Sequence, residues 1–175
     1  VAQVGVLNAG QMASLTSAQI AAMSNAQIGA FSAMQAAALA GSIGSLTTEQ
    51  VGALTTKARA GLTSTQIGAL STAQAEALST AQVASLTSTQ IAALGSANLA
   101  VFSTADIAAI TTGALAGLTS DGVSALGSDQ IAALSSAQIG VLSSSQIGAL
   151  TSAQIANLAT TQIAALSAGG VAGLA

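Results

Sequence analysis

Few residues of this chain have side chains that could do chemistry. Asp121 and Asp129 hold the same place in adjacent repeats, an arrangement that would suit a hard cation bound by oxygen ligands. They lack the glycine-rich pattern of calcium-binding repeats, so no metal site is assigned to them. Glu49 and Lys57 also share a place in adjacent repeats, where a surface ion pair is worth little. Arg59, in LTTKARAGL, stands at a site that is otherwise aliphatic. It could anchor a ligand, but the preferred reading is that its stem covers the core while the guanidinium reaches water. Serine and threonine are plentiful, yet histidine is absent and no lysine is set as their base in any recognisable motif. Nucleophilic catalysis is therefore not expected, no cofactor is implied, and the chain is not read as an enzyme.

Composition narrows the function further. Only 4% of the 175 residues are charged and 1% aromatic, and Pro, Cys, Trp and Tyr are all missing. Disulfides, Cys or His metal sites and aromatic platforms for stacked bases are thereby excluded. The net charge of −3 leaves Lys57 and Arg59 as the sole cations, so no electrostatic footprint for nucleic acid is expected. Mean hydropathy is +0.73, but alanine inflates it, and no apolar run approaches the roughly 18 residues of a membrane span. Membrane insertion is not expected. The opening residues VAQVGVLNAG lack the basic start and long apolar core of a signal peptide, so an export address would lie outside this segment or have been removed.

What positions these residues is a repeat. A large apolar residue recurs at Leu7, Leu15, Met23, Phe31 and Leu39, takes one seven-residue step to Leu46, and then recurs every eight residues to Leu174. Counting it as position 1, the unit reads Leu, Thr/Ser, Ser/Thr, variable, Gln, Ile, small, small. No linker interrupts residues 1–175, which read as one continuous array with a phase shift between Leu39 and Leu46.

A single long helix does not fit this period, because eight residues at about 100° each advance the Leu column by roughly 80° and leave no stripe. A coiled coil fails for the same reason. On a pleated strand positions 4 and 6 would share a face, yet position 4 holds Glu49, Lys57, Asp121 and Asp129 while position 6 is aliphatic. A turn inside the unit would be needed to keep the alternative, a β-solenoid or β-roll with two octapeptides per coil.

A helix start fits better. With Thr87 as N-cap, Gln90 falls at N3 and completes the Ser/Thr-x-x-Gln capping box, while Leu86 and Ile91 become the two halves of a hydrophobic staple. The same reading assigns caps to Thr16 and Gln19, Thr47 and Gln50, Thr63 and Gln66, and Thr151 and Gln154. It assigns the core to Leu15, Ile20, Leu62, Ile67, Leu86, Ile91, Leu134, Ile139, Leu150 and Ile155. Glu49, Asp121 and Asp129 would lie in first turns, where the positive helix end favours acids, and Lys57 departs from that trend. Helices this short do not survive alone in water, so burial against neighbouring units must supply most of the stability. The expected fold is an all-α solenoid of very short capped helices, one per octapeptide.

Solenoids normally close with atypical polar units, whereas Gln3 and Val4 already keep the phase and Leu174 still does. Either the array is a segment of a longer one or another copy covers its ends. LTSAQIAA, STAQVASL and SSAQIGVL resemble octapeptide tracts of very long, repetitive secreted or cell-surface proteins of bacteria. That resemblance implies an exported structural role and transfers no catalytic residue. The expectation is thus a structural protein, extracellular or on the bacterial surface, whose partner is itself, as a homo-oligomer, filament, sheath or adhesin stalk. An alternative is a surface-binding module whose hydroxyls at Thr47, Thr55, Thr63, Ser71, Ser79 and Thr87 meet ice or a polysaccharide. The presence of Ser135 and Ser143 in that column suits capping better, since ice binding favours the Thr methyl. An inert spacer in a giant surface protein is the third reading.

Overall fold

The computed structural model describes residues 2–166, and all regular structure among them is helical, with no strand. The register positions Leu174 and the Gln3 side chain lie outside the described residues. A typical unit is a helix of five residues, as in Ser17–Ala21, Ser64–Gly68 and Ser152–Ala156. Its N-cap is extended, with Thr63 at φ −70 and ψ 160, and the hydroxyl accepts from the N3 amide. At the other end the amide of the next position-1 residue bonds back to the Ile carbonyl, as Leu70 does to Ile67 at 3.2 Å, which ends the helix. The β-roll alternative is set aside by this arrangement.

Helices three units apart lie against each other. Asn25–Gly29 packs on Thr48–Ala53, Ser128–Ala132 on Ser152–Ala156, and Ser136–Gly140 on Thr160–Ala165. Three units therefore make one coil, and successive coils stack into a solenoid. Positions 1 and 6 point inward and form one continuous apolar core along the stack. Ile20, Ile67 and Ile91 are fully buried, and Ile139, Leu62, Leu86, Leu134 and Leu150 are buried. Leu15 and Ile155, also expected in the core, are half-buried and pack against it.

Two units depart from the pattern. The seven-residue unit forms a 3₁₀ helix, Ala40–Ser45, without a side-chain cap, the tighter winding taking up the missing residue. In Ser88–Ala100 two helices join across Gly95, whose φ of 73 falls in the left-handed region that only glycine adopts freely.

Small residues set how closely coils approach. A Cβ on Gly68, at position 7, would lie 2.9 Å from the carbonyl oxygen of Ala93 in the next coil. The tightest approaches occur at position 8, where a Cβ on Gly61 would run into the backbone of Ala33 and one on Gly117 into that of Ser88. Gly113, in the same unit as Gly117, faces open space. Gly117→Ala should therefore destabilise the chain by about 1–3 kcal/mol, as an overpacked contact does. Gly113→Ala should instead add about 0.5–1 kcal/mol through helix entropy. Urea unfolding of both variants checks the pair, and equal effects would contradict this packing.

Candidate functional site

The recurring polar feature of the solenoid is the position-5 glutamine. Its Oε1 accepts from the backbone N–H of the N-cap residue: the distance is 3.0 Å from Thr87 to Gln90, 2.8 Å from Thr63 to Gln66 and 2.7 Å from Thr151 to Gln154. In return the backbone N–H of the glutamine donates to the cap hydroxyl, at 3.3 Å for Gln90 to Thr87. The same reciprocal bonds join Thr16 to Gln19 and Thr47 to Gln50. Where the cap residue is Gly127 or Ala159, with no hydroxyl, Gln130 and Gln162 keep their half of the exchange, at 2.6 and 2.7 Å.

The other end of the side chain does something the sequence pattern gave no sign of. Nε2 crosses to the preceding coil and, away from the phase slip, donates to a position-1 carbonyl 28 residues earlier, as Gln90 does to Leu62 at 2.7 Å. Gln146 reaches both Leu118 and Leu115, at 2.8 and 2.7 Å, and Gln154 reaches Leu126 and Val123, at 2.7 and 2.8 Å. Each of the buried position-5 glutamines thus caps its own helix and ties it to the coil before it. These glutamines are buried, Gln50, Gln82 and Gln154 at 2% exposure, which a polar side chain tolerates only when fully hydrogen-bonded. The ladder stops at one edge. Gln11, Gln19 and Gln27 close their own caps through Oε1, but no described carbonyl accepts from their Nε2, and Gln11 and Gln19 are exposed.

The charged residues are dispersed. Asp121 and Asp129 sit in successive units, hence on different sides of a coil, and Asp129 Oδ1 accepts from Asn157 Nδ2 at 3.3 Å. No group of three or more candidate metal ligands is found among the described residues. Glu49 is exposed in a first turn, and its carboxylate is held below the usual range by its own backbone amide and then by the Thr47 and Thr48 hydroxyls. Lys57 is exposed in the next unit. At the phase slip a depression of about 370 Å³ is lined by Ala37, Gly41, Thr63, Thr65, Gln66 and Ala69, none of them an acid, base or charged group.

Arg59 corrects the expectation that its head reaches water: the whole side chain is buried at 0% exposure. Its Nη2 donates to Ser85 Oγ, which donates in turn to the Gln82 carbonyl at 2.9 Å, while Nε and Nη1 are buried with no partner. Without a carboxylate nearby, burial pushes the guanidinium pKa down to about 10.

The ALTTAQ repeat model matches this chain in four overlapping stretches, residues 59–88, 75–104, 99–136 and 132–160, which together cover more than half of it. The chain belongs to the ALTTAQ repeat family. No curated protein and no solved structure matches it. Among the described residues of this ALTTAQ array, no helix is long and apolar enough to cross a membrane.

Two outcomes follow from the ladder and from Arg59. Gln90→Glu keeps the cap acceptor but turns a carboxylate toward the Leu62 carbonyl, and should cost about 3 kcal/mol in urea unfolding. Gln19→Glu makes the same change where Nε2 is free and should change stability by less than about 0.5 kcal/mol. Arg59→Ile restores the aliphatic column and removes an uncompensated buried charge, so it should raise stability by about 1–4 kcal/mol at neutral pH. The folded pKa lies below the ordinary value of an arginine, so the cost of burying the charge is complete below about pH 10. It fades as pH climbs through the folded pKa toward the ordinary arginine value, and the advantage of the isoleucine variant should shrink in thermal melts taken above pH 10.

Proposed function

We propose that this array is a structural element, a solenoid rod that associates with itself into a filament or sheath outside the bacterial cell. The observation that carries the reading is the ladder itself: every buried position-5 glutamine ties one coil to another, so coils are built to stack on coils. The sparse charge supports association, since little net repulsion holds copies apart. The resemblance of LTSAQIAA and its variants to tracts of secreted and surface proteins supports the location.

Presentation of hydroxyl rows to ice or a polysaccharide is less well supported. Along one side of the stack position 2 reads Thr63, Thr87, Thr111, Ser135 and Ala159, so the row changes its side chain and then loses its hydroxyl. The threonines and serine in it already accept a bond from their own N3 amide.

Negative-stain microscopy of the purified chain at neutral pH, over a range of concentrations, tests the reading. Unbranched filaments one solenoid wide, lengthening with concentration, are the expected result. Monodisperse single particles throughout that range would overturn self-association.

A further inference from the structure

We propose that Arg59 holds a small monovalent anion, a halide such as chloride, through its Nε and Nη1 inside the apolar core of the coil formed by residues 54–77. The site belongs to a single copy of the chain and does not depend on self-association.

Two observations converge on it, and the first is the guanidinium itself. Nη2 donates to Ser85 Oγ, while Nε and Nη1 are buried with no partner among the described residues. Helices of the coil before and the coil after pack on the helix that carries Arg59, so water does not reach these donors from either side. An unmet donor and an unpaired charge are both costly in such a place. A water molecule would satisfy only the donors, whereas an anion satisfies the donors and the charge. The chain supplies no counter-charge of its own. Glu49, Glu76, Asp121 and Asp129 are exposed, and Asp106, the one buried acid among the described residues, stands two coils away, bonded to Thr80 and Ser103.

The second observation is the composition of the core around the guanidinium. Between Ile20 and Ile147 position 6 is Ile, Leu or Val with three exceptions, and the three are neighbours. They are Arg59, Ala75 in the same coil, and Ala36 in the coil before, on the helix that packs against that of Arg59. Both alanines are fully buried. Relative to isoleucine, two alanines remove six carbon atoms, and arginine restores three non-hydrogen atoms. Protein interiors pack too closely to leave such a deficit unfilled. A shortfall of three atoms suits a monatomic ion and is too small for sulfate or phosphate, which have five.

The test follows thermal melts at neutral pH as sodium chloride replaces sodium gluconate at constant ionic strength, so that screening stays fixed and only the anion changes. The melting temperature of the wild type should rise by at least about 3 °C, as expected when a ligand binds the folded state alone. Arg59→Ile should show no such rise. In gluconate it should be the more stable of the two, and chloride should narrow the difference. Bromide should act as chloride does. Sulfate, which strengthens burial in any protein, should shift wild type and variant alike. Ala75→Val returns part of the missing volume and leaves the guanidinium in place, so it should weaken the chloride response. If chloride shifts wild type and Arg59→Ile equally, or shifts neither, Arg59 holds no anion. If sulfate favours the wild type as chloride does, the ion is not in the core and the proposed site is wrong. None of these outcomes bears on whether the chain forms filaments.

Discussion

Everything in this solenoid depends on one side chain doing two jobs. A five-residue helix cannot nucleate alone in water, because the first turn fixes several residues for a single hydrogen bond. The position-5 glutamine offsets that cost twice, once through Oε1 at its own N-cap and again through Nε2 on the coil before it. The first bond is local and makes the helix begin. The second is distant and decides what the helix lies against. Burying an amide would be unfavourable if either half went unpaired, so a position-5 glutamine that is itself buried must find a carbonyl across the gap. The hydrogen-bond requirement thereby enforces the register that apolar burial alone would leave loose.

The chain contains substitutions that separate the two jobs. Asn98 is one methylene shorter: Nδ2 still donates to the Leu70 carbonyl at 2.9 Å, but no cap bond forms, and the cap position is Gly95 at φ 73. Asp106 shows the reverse. Oδ2 accepts from the Ser103 amide at 3.1 Å, there is no N–H to send across, and Thr80 of the preceding coil supplies a donor to Oδ1 at 2.7 Å instead. Where position 5 is Ala58 or Ala114 neither bond is possible, and in both units position 8 is glycine, Gly61 or Gly117, pressed onto the neighbouring backbone. With no amide to fill the gap, the coils close until backbone meets backbone, and a Cβ no longer fits.

These comparisons also show which parts of the structure could be read from sequence. The helix start at Thr87 and Gln90 was legible because a capping box and a staple are made within six residues. The inward Leu and Ile columns were legible because the period placed them together. The number of units per coil was not, since nothing inside an octapeptide encodes which other octapeptide it meets. The second role of glutamine was hidden for the same reason: its acceptor lies 28 residues away. Arg59 was misread because a long cation on an otherwise aliphatic site was assumed to find water, whereas the adjoining coils cover it and leave Ser85 as its one hydrogen-bond acceptor. Leu15 and Ile155 are half-buried although they hold the same repeat positions as the buried Leu62 and Ile67, a difference that residue type and phase do not reveal.

A solenoid in which each coil touches only its neighbours has a stability that is close to a sum of local terms. Defects then matter where they fall, and here they fall together. The unit that starts at Leu54 lacks the ladder amide at Ala58, buries the unpaired guanidinium of Arg59 and closes on Ala33 through Gly61. The 3₁₀ unit Ala40–Ser45, with no side-chain cap, is two units before it. By contrast, Gln130, Gln138, Gln146 and Gln154 form consecutive complete rungs farther along the chain. Local opening should therefore be cheapest in residues 40–61, while the coils between Leu126 and Leu158 hold. A globular core would spread the cost of Arg59 over the whole domain. In a one-dimensional stack that cost remains in one coil, which is how an array with so little charge can carry a buried cation and still present a continuous core on either side of it.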